Sequence, residues 1–203
     1  MDNDCDDMLY KAEKSIYCYD GTNVLINKFN IKDLKKLNSI EREIVTLKLG
    51  DYYEYMTIDV RNPNLLLDLH KFVFEDLYDF AGKFRQENIA KENFRFAEFR
   101  YIQDSYYDLM NEFKKDNYLV GLDKEKLSEK LSYYMAELNV LHPFRDGNGR
   151  IIREYIKLVA KNDEYDLIWS NKSPKEIFEA SVKSVHDDKD LKKCIYDCLE
   201  KIN

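Results

Sequence analysis

Leu127-Ser128-Glu129-Lys130-Leu131-Ser132-Tyr133-Tyr134-Met135-Ala136-Glu137-Leu138-Asn139-Val140-Leu141 runs without a break into His142-Pro143-Phe144-Arg145-Asp146-Gly147-Asn148-Gly149-Arg150-Ile151-Ile152-Arg153. In the first part Leu127, Leu131, Tyr134, Leu138 and Leu141 recur at spacings of 4, 3, 4 and 3. That is one apolar seam of a helix made for bundle packing, and Asp123 stands where its N-cap belongs. The second part holds three of the nine Gly and Pro residues of the whole chain. It lies between this helix and another expected from Ile151 to about Lys161, so it reads as a loop held by a rigid scaffold, a favoured place for function.

Outward from this point the pattern stays helical. Asn38 or Ser39 can cap a helix reaching Leu49 and stopping at Gly50. Leu65, Leu66, Leu69, Val73, Leu77 and Phe80 recur every three or four residues until Ala81-Gly82. Residues 83–96 break that period, and Phe94-Arg95-Phe96 alternates like a short strand. Further helices are expected from Ala97 to about Lys114 and, as a pair, from Pro174 onward. Gly and Pro make up about 4% of the 203 residues, against roughly 12% in an average chain, which disfavours a many-stranded sandwich or barrel. The fold class predicted is all-α.

Composition narrows the function classes. Hydrophobic residues at 44% and aromatics at 14% suffice for a core, and the net charge of −7 weakens a nucleic-acid reading. Apolar runs reach three or four residues, so no membrane span is expected, and Asp2, Asp4, Asp6 and Asp7 are the wrong charge for a secretory leader. Cys5, Cys18, Cys194 and Cys198 form no paired knuckles and read as reduced residues, which fits a cytoplasmic setting. His70 reads as a hydrogen-bonded core residue and His186, beside Asp187-Asp188, as a solvated loop.

The loop itself has a chemistry. Gly147-Asn148-Gly149 lets the backbone turn its amides toward one point, and the next helix aims its positive end at the same place. Arg150 and Arg153, three apart on one helix face, supply cationic forks for phosphates. Asp146 beside phosphates calls for Mg²⁺ between them. His142 is the nearby group able to take a proton near neutral pH. Together they describe a triphosphate cradle with a metal and a base, suited to phosphoryl or nucleotidyl transfer.

Residues 142–153 match at every defined position the signature of the Fic family, H-P-F-x-[D/E]-G-N-G-R-x-x-R. The run Asp79-Phe80-Ala81-Gly82-Lys83-Phe84-Arg85, with Asn88-Ile89 and Lys91, resembles the region ahead of that motif, so the likeness covers roughly residues 65–200. It implies a helical bundle with a small β-hairpin flap: a flexible segment at 1–18, then a single domain over 19–203. It implies transfer of AMP from Mg²⁺-bound ATP to a Tyr, Thr or Ser hydroxyl. His142 would be the base and Asp146 the metal ligand. The amides around Gly147 and Gly149, with Asn148, would hold phosphates; Arg150 would contact the β-phosphate region and Arg153 the γ-phosphate. Phe144 would anchor the loop. Phe94, Arg95 and Phe96 resemble the flap that docks a target protein. The related Doc kinases depart from G-N-G-R here. Ser39 and Glu43 fit the family's inhibitory S/T-x-x-x-E pattern within a helix near 39–49, with Ile44 where Gly or Asn is usual; Glu43 would bind Arg153. Self-modification and a homodimer accompany the resemblance, and the alternatives are AMP removal, another nucleotide donor, or a nucleotide-binding module without turnover.

Overall fold

A computed structural model describes residues 15–56, 58–91 and 94–202. Among them are seven α-helices: α1 (Leu34–Tyr55), α2 (Leu65–Phe74), α3 (Ile102–Lys115), α4 (Lys124–Leu141), α5 (Asn148–Asn162), α6 (Pro174–Lys183) and α7 (Lys189–Cys198). Two small antiparallel pairs accompany them, β1 (Ala90–Lys91) with β2 (Phe94–Arg95), and β3 (Tyr165–Leu167) with β4 (Leu199–Lys201). The predicted helical class and the small hairpin at Phe94 are what the structure contains.

The seam of α4 does what its spacing dictates. Leu127, Leu131, Tyr134, Leu138 and Leu141 are all buried, and α4 packs on α3, α5 and α7. Asp123 caps it by accepting the Lys126 amide. Helix α5 buries Ile151, Ile152, Tyr155, Ile156, Leu158 and Val159. Each such side chain contributes roughly 1.5–3 kcal/mol, so packing rather than helix propensity holds both ends of the loop at 142–147.

Helix α3 begins at Ile102 instead of Ala97, behind a 3-10 turn over Phe99–Tyr101, and α5 begins at Asn148 instead of Ile151; three further boundaries differ from the expectation, each for a physical reason. Helix α1 begins earlier, because Asp33 is its N-cap and accepts the Lys36 amide; Ser39 lies inside it, exposed. It also runs through Gly50, since Val45 and Tyr52 on either side are buried and one exposed helical glycine costs only about 1 kcal/mol. Helix α2 stops at Phe74, and the chain tightens into turns in which Leu77 and Phe80 remain buried. The carbonyl of Leu77 accepts the amide of Lys28 there, at 2.9 Å. The expected flexible segment falls outside the described residues up to residue 14; from Ser15 onward the chain is tied to Glu87, through the Ser15 hydroxyl at 2.7 Å and the Ile16 amide at 3.1 Å. The cysteines Cys194 and Cys198 are buried and free, and His186 is exposed, as expected.

Candidate active site

Helix α4 ends at His142, the expected base. His142 is its C-cap in the left-handed region (φ 47°, ψ 63°), and its amide still closes the helix on the Leu138 carbonyl. Its Nδ1 lies 3.1 Å from the Asn139 carbonyl. A carbonyl only accepts, so Nδ1 holds the proton and Nε2 keeps the lone pair of the neutral ring. Phe96, at the end of the β1–β2 hairpin, stacks on the imidazole at 3.8 Å between centroids and 19° between planes. The hairpin thus reaches His142 directly. Phe94 meets Phe96 edge-on at 5.2 Å, and Arg95 is exposed.

The carbonyls at this helix end converge on one side chain. Arg85, 1% exposed, donates from Nε to the His142 carbonyl (2.8 Å) and from Nη2 to those of Leu141 (3.2 Å) and Ala97 (2.5 Å). Its Nη1 donates to the Glu87 carbonyl at 2.7 Å, and its amide to that of Pro143 at 2.9 Å. A cation at a helix C-terminus also opposes the negative end of the helix dipole.

The loop is pinned from inside. Phe144 is fully buried and stacks on His70 at 3.8 Å. The Asn148 side chain bonds both ends of the Phe144 residue, accepting its amide at 2.9 Å and donating to its carbonyl at 2.8 Å. Asn148, expected among the phosphate contacts, therefore spends its side chain on the loop and offers a phosphate only its backbone amide. Gly147 has φ 74°, and a Cβ there would stand 2.5 Å from the Phe74 ring, so glycine is the residue that fits. The Gly147 amide donates to Asp146 Oδ1 at 2.6 Å.

Helix α5 opens at Asn148 with Gly147 as its N-cap, so its first-turn amides point out of the helix beside Asp146. Arg150, in that turn, holds Glu41 of α1 through Nη2 at 2.6 Å, with its guanidinium over the Phe74 ring at 5.1 Å. Arg153 lies one turn further on, partly buried. Glu43 is exposed. Helical residues two positions apart stand about 200° apart around the axis, so when Glu41 faces the site Glu43 faces solvent. The carboxylate on α1 that reaches the motif is Glu41, and its partner is the first motif arginine, Arg150.

A description of the Fic/DOC family matches residues 60–160. The probable protein adenylyltransferase Fic of Escherichia coli is 33% identical over 157 residues, covering 75% of this chain and 76% of that protein. The chain belongs to the Fic/DOC family. The protein adenylyltransferase VbhT of Bartonella schoenbuchensis is 31% identical over 182 residues, which is 90% of this chain but 38% of that protein's length. The BepC protein of Bartonella tribocorum, solved with bound AMPPNP, superposes with a TM-score of 0.85 at 20% identity over 92% of this chain and 97% of that one. That likeness shows the fold.

Two further ties brace the Fic/DOC loop. Arg145, the variable position of the motif, is buried and pairs with Glu87 at 2.8 Å. His70 accepts the Gly82 amide on Nδ1 (2.9 Å), so its Nε2 carries the proton and donates to the Asp146 carbonyl at 3.0 Å. It is the bonded core residue its apolar helix suggested, and it also fastens the loop. Burial first, with Arg150 nearby, lowers its pKa from 6.5 to about 3. Below pH 6.5 the unfolded imidazole takes a proton and the folded one does not, so the unfolded state gains and stability falls as the pH drops through that window. The loss from this residue approaches about 1.4 kcal/mol per pH unit. Urea unfolding at pH 6.5 and 4.5 should therefore show a shallower decline in His70→Gln than in wild type; equal slopes would remove His70 from the acid response.

Proposed function

We propose that this chain is a protein adenylyltransferase, transferring AMP from Mg²⁺-bound ATP to a hydroxyl side chain of a target protein. The observation that carries the reading is the junction of α4 and α5, where a base held in one tautomer by Asn139 stands within one loop of a helix N-terminus and Arg150. The adenylyltransferase names of relatives at 31% and 33% identity support it.

In this reading the target hydroxyl gives its proton to His142 Nε2 and its oxygen attacks the α-phosphorus. The bond from that phosphorus to the bridging oxygen breaks, and pyrophosphate leaves. The first-turn amides of α5 and the guanidinium groups of Arg150 and Arg153 bear the phosphate charge, the positioning and electrostatic work that such transfers ask of a protein. The β1–β2 hairpin offers a strand edge to an extended target segment, with Phe96 tying it to the base.

The residues fit a magnesium ion. Asp146 is one carboxylate beside the phosphate end of α5, and among the described residues no group of three or more ligands competes to hold a metal alone. Mg²⁺ is commonly held by one or two carboxylates plus substrate phosphates. Burial and the nearby Glu41 raise the Asp146 pKa, and a cation would favour its charged form. Bound there, the ion would neutralise phosphate charge.

The test is label transfer from ATP marked on the α- or the γ-phosphate, to native lysate and to the purified chain alone. Protein-bound α-label is expected. Bound γ-label alone would mean a kinase and overturn the reading, and label on the chain alone would establish self-modification.

A further inference from the structure

We propose that Glu41, fastened by Tyr78, is a positioning residue that aims Arg150 at the phosphates of the nucleotide, and not a restraint that withholds it. The identity of the ligand rests on the adenylyltransferase reading; the positioning itself rests on the side chains. Glu41 occupies the core stripe of α1: Leu37 and Val45, one helical turn to either side, are 1% and 4% exposed, and Glu41 itself is 9% exposed. A carboxylate in such a row is costly unless both oxygens are bonded. Both are. Oε1 accepts Arg150 Nη2 at 2.6 Å, and Oε2 accepts the Tyr78 hydroxyl.

The aromatic residues that hold the pair are themselves buried. Tyr78 is 1% exposed and stacks on Phe80 at 4.7 Å. Phe74, also 1% exposed, lies under the Arg150 guanidinium and against Gly147. A removable inhibitor needs a segment that can leave, whereas α1 is a 22-residue helix built into the core. A guanidinium has five donors in a planar fork, so one bond to Glu41 orients the group without exhausting it. Holding that fork in place before ATP arrives removes the entropy of ordering it on binding. The pair also keeps the Glu41 charge compensated where phosphates must approach.

The experiment is a double-mutant cycle on the full chain, reading Kd for Mg²⁺-bound ATP by calorimetry and AMP transfer by α-label. Glu41→Gln in the wild-type background should weaken ATP binding about tenfold, the size expected when one charge-assisted contact loosens. In an Arg150→Ala background the same change should have less than about twofold effect or improve binding, because it removes an uncompensated carboxylate. A purely structural role for Glu41 would give equal losses in both backgrounds and overturn the proposal. Higher AMP transfer in Glu41→Gln would also overturn it, by showing that Glu41 competes with phosphate for Arg150. Tyr78→Phe, which removes only the hydroxyl, should weaken ATP binding in the same direction and serves if Glu41→Gln does not fold; unchanged binding there would count against the proposal. A wild type that binds ATP through Arg150 and Glu41 but transfers no AMP would sink the proposed function and leave this inference standing.

Discussion

His142→Asn should bind Mg²⁺-bound ATP within about twofold of wild type but transfer AMP on the order of 10³ times more slowly, within the range that a positioned general base supplies. Asparagine is chosen because His142 sits at φ 47°, a region that asparagine tolerates and alanine resists, so the loop keeps its path. What disappears is Nε2, the proton acceptor that the Nδ1 bond to the Asn139 carbonyl leaves in place. ATP affinity should be spared because, in the proposed reading, the phosphate contacts come from α5 and its arginines. Transfer within tenfold of wild type would mean that another group takes the proton. A parallel loss of ATP affinity would mean that His142 organises the cradle instead.

The second large effect falls on a residue outside the signature. Arg85→Met fills the same space yet leaves the carbonyls of Leu141, His142, Glu87 and Ala97 without the guanidinium that now bonds them. Stranding buried acceptors costs about 1–3 kcal/mol each, part of it recovered by relaxation. A net loss of about 3–5 kcal/mol is expected, near that of breaking a buried charge pair. For a chain of this size that lowers Tm by roughly 6–20 °C. Transfer should fall further than ATP binding, because the lost bonds run from His142, the proposed base, to the segments flanking the hairpin at Glu87 and Ala97. Arg85→Lys, keeping the charge but not the fork, should recover part of the Tm. A change below 2 °C in Arg85→Met would show that these carbonyls are satisfied by other means.

The parts of the site that lie within twelve consecutive residues were legible in the sequence, because a turn, a helix start and two arginines one turn apart are local chemistry. Glu41 was not. Its signal is a carboxylate in the row Leu37, Glu41, Val45, and that row is visible only once the helix is known to start at Asp33; begun at Ser39, the same helix turns attention to Glu43. Asn148 was half legible: its place in the loop was clear, but the folding of its amide back onto Phe144 depends on how the loop closes. Arg85 stood in a stretch with no period, and nothing local says that the carbonyls of Leu141 and His142, more than fifty residues away, will meet it together with those of Glu87 and Ala97. The β3–β4 pair joins Tyr165 to Lys201, a separation at which the strands carry no shared pattern.

The sequence by itself determined the helical class, the α4 seam and the chemical identity of the loop, because side-chain periodicity and turn chemistry act over a few residues. Tertiary structure decided which carboxylate faces Arg150, which nitrogen of His142 keeps its lone pair, and which buried cation holds the end of α4. Those outcomes depend on the rotation of one helix against another and on carbonyls brought together from distant segments, and packing alone settles both.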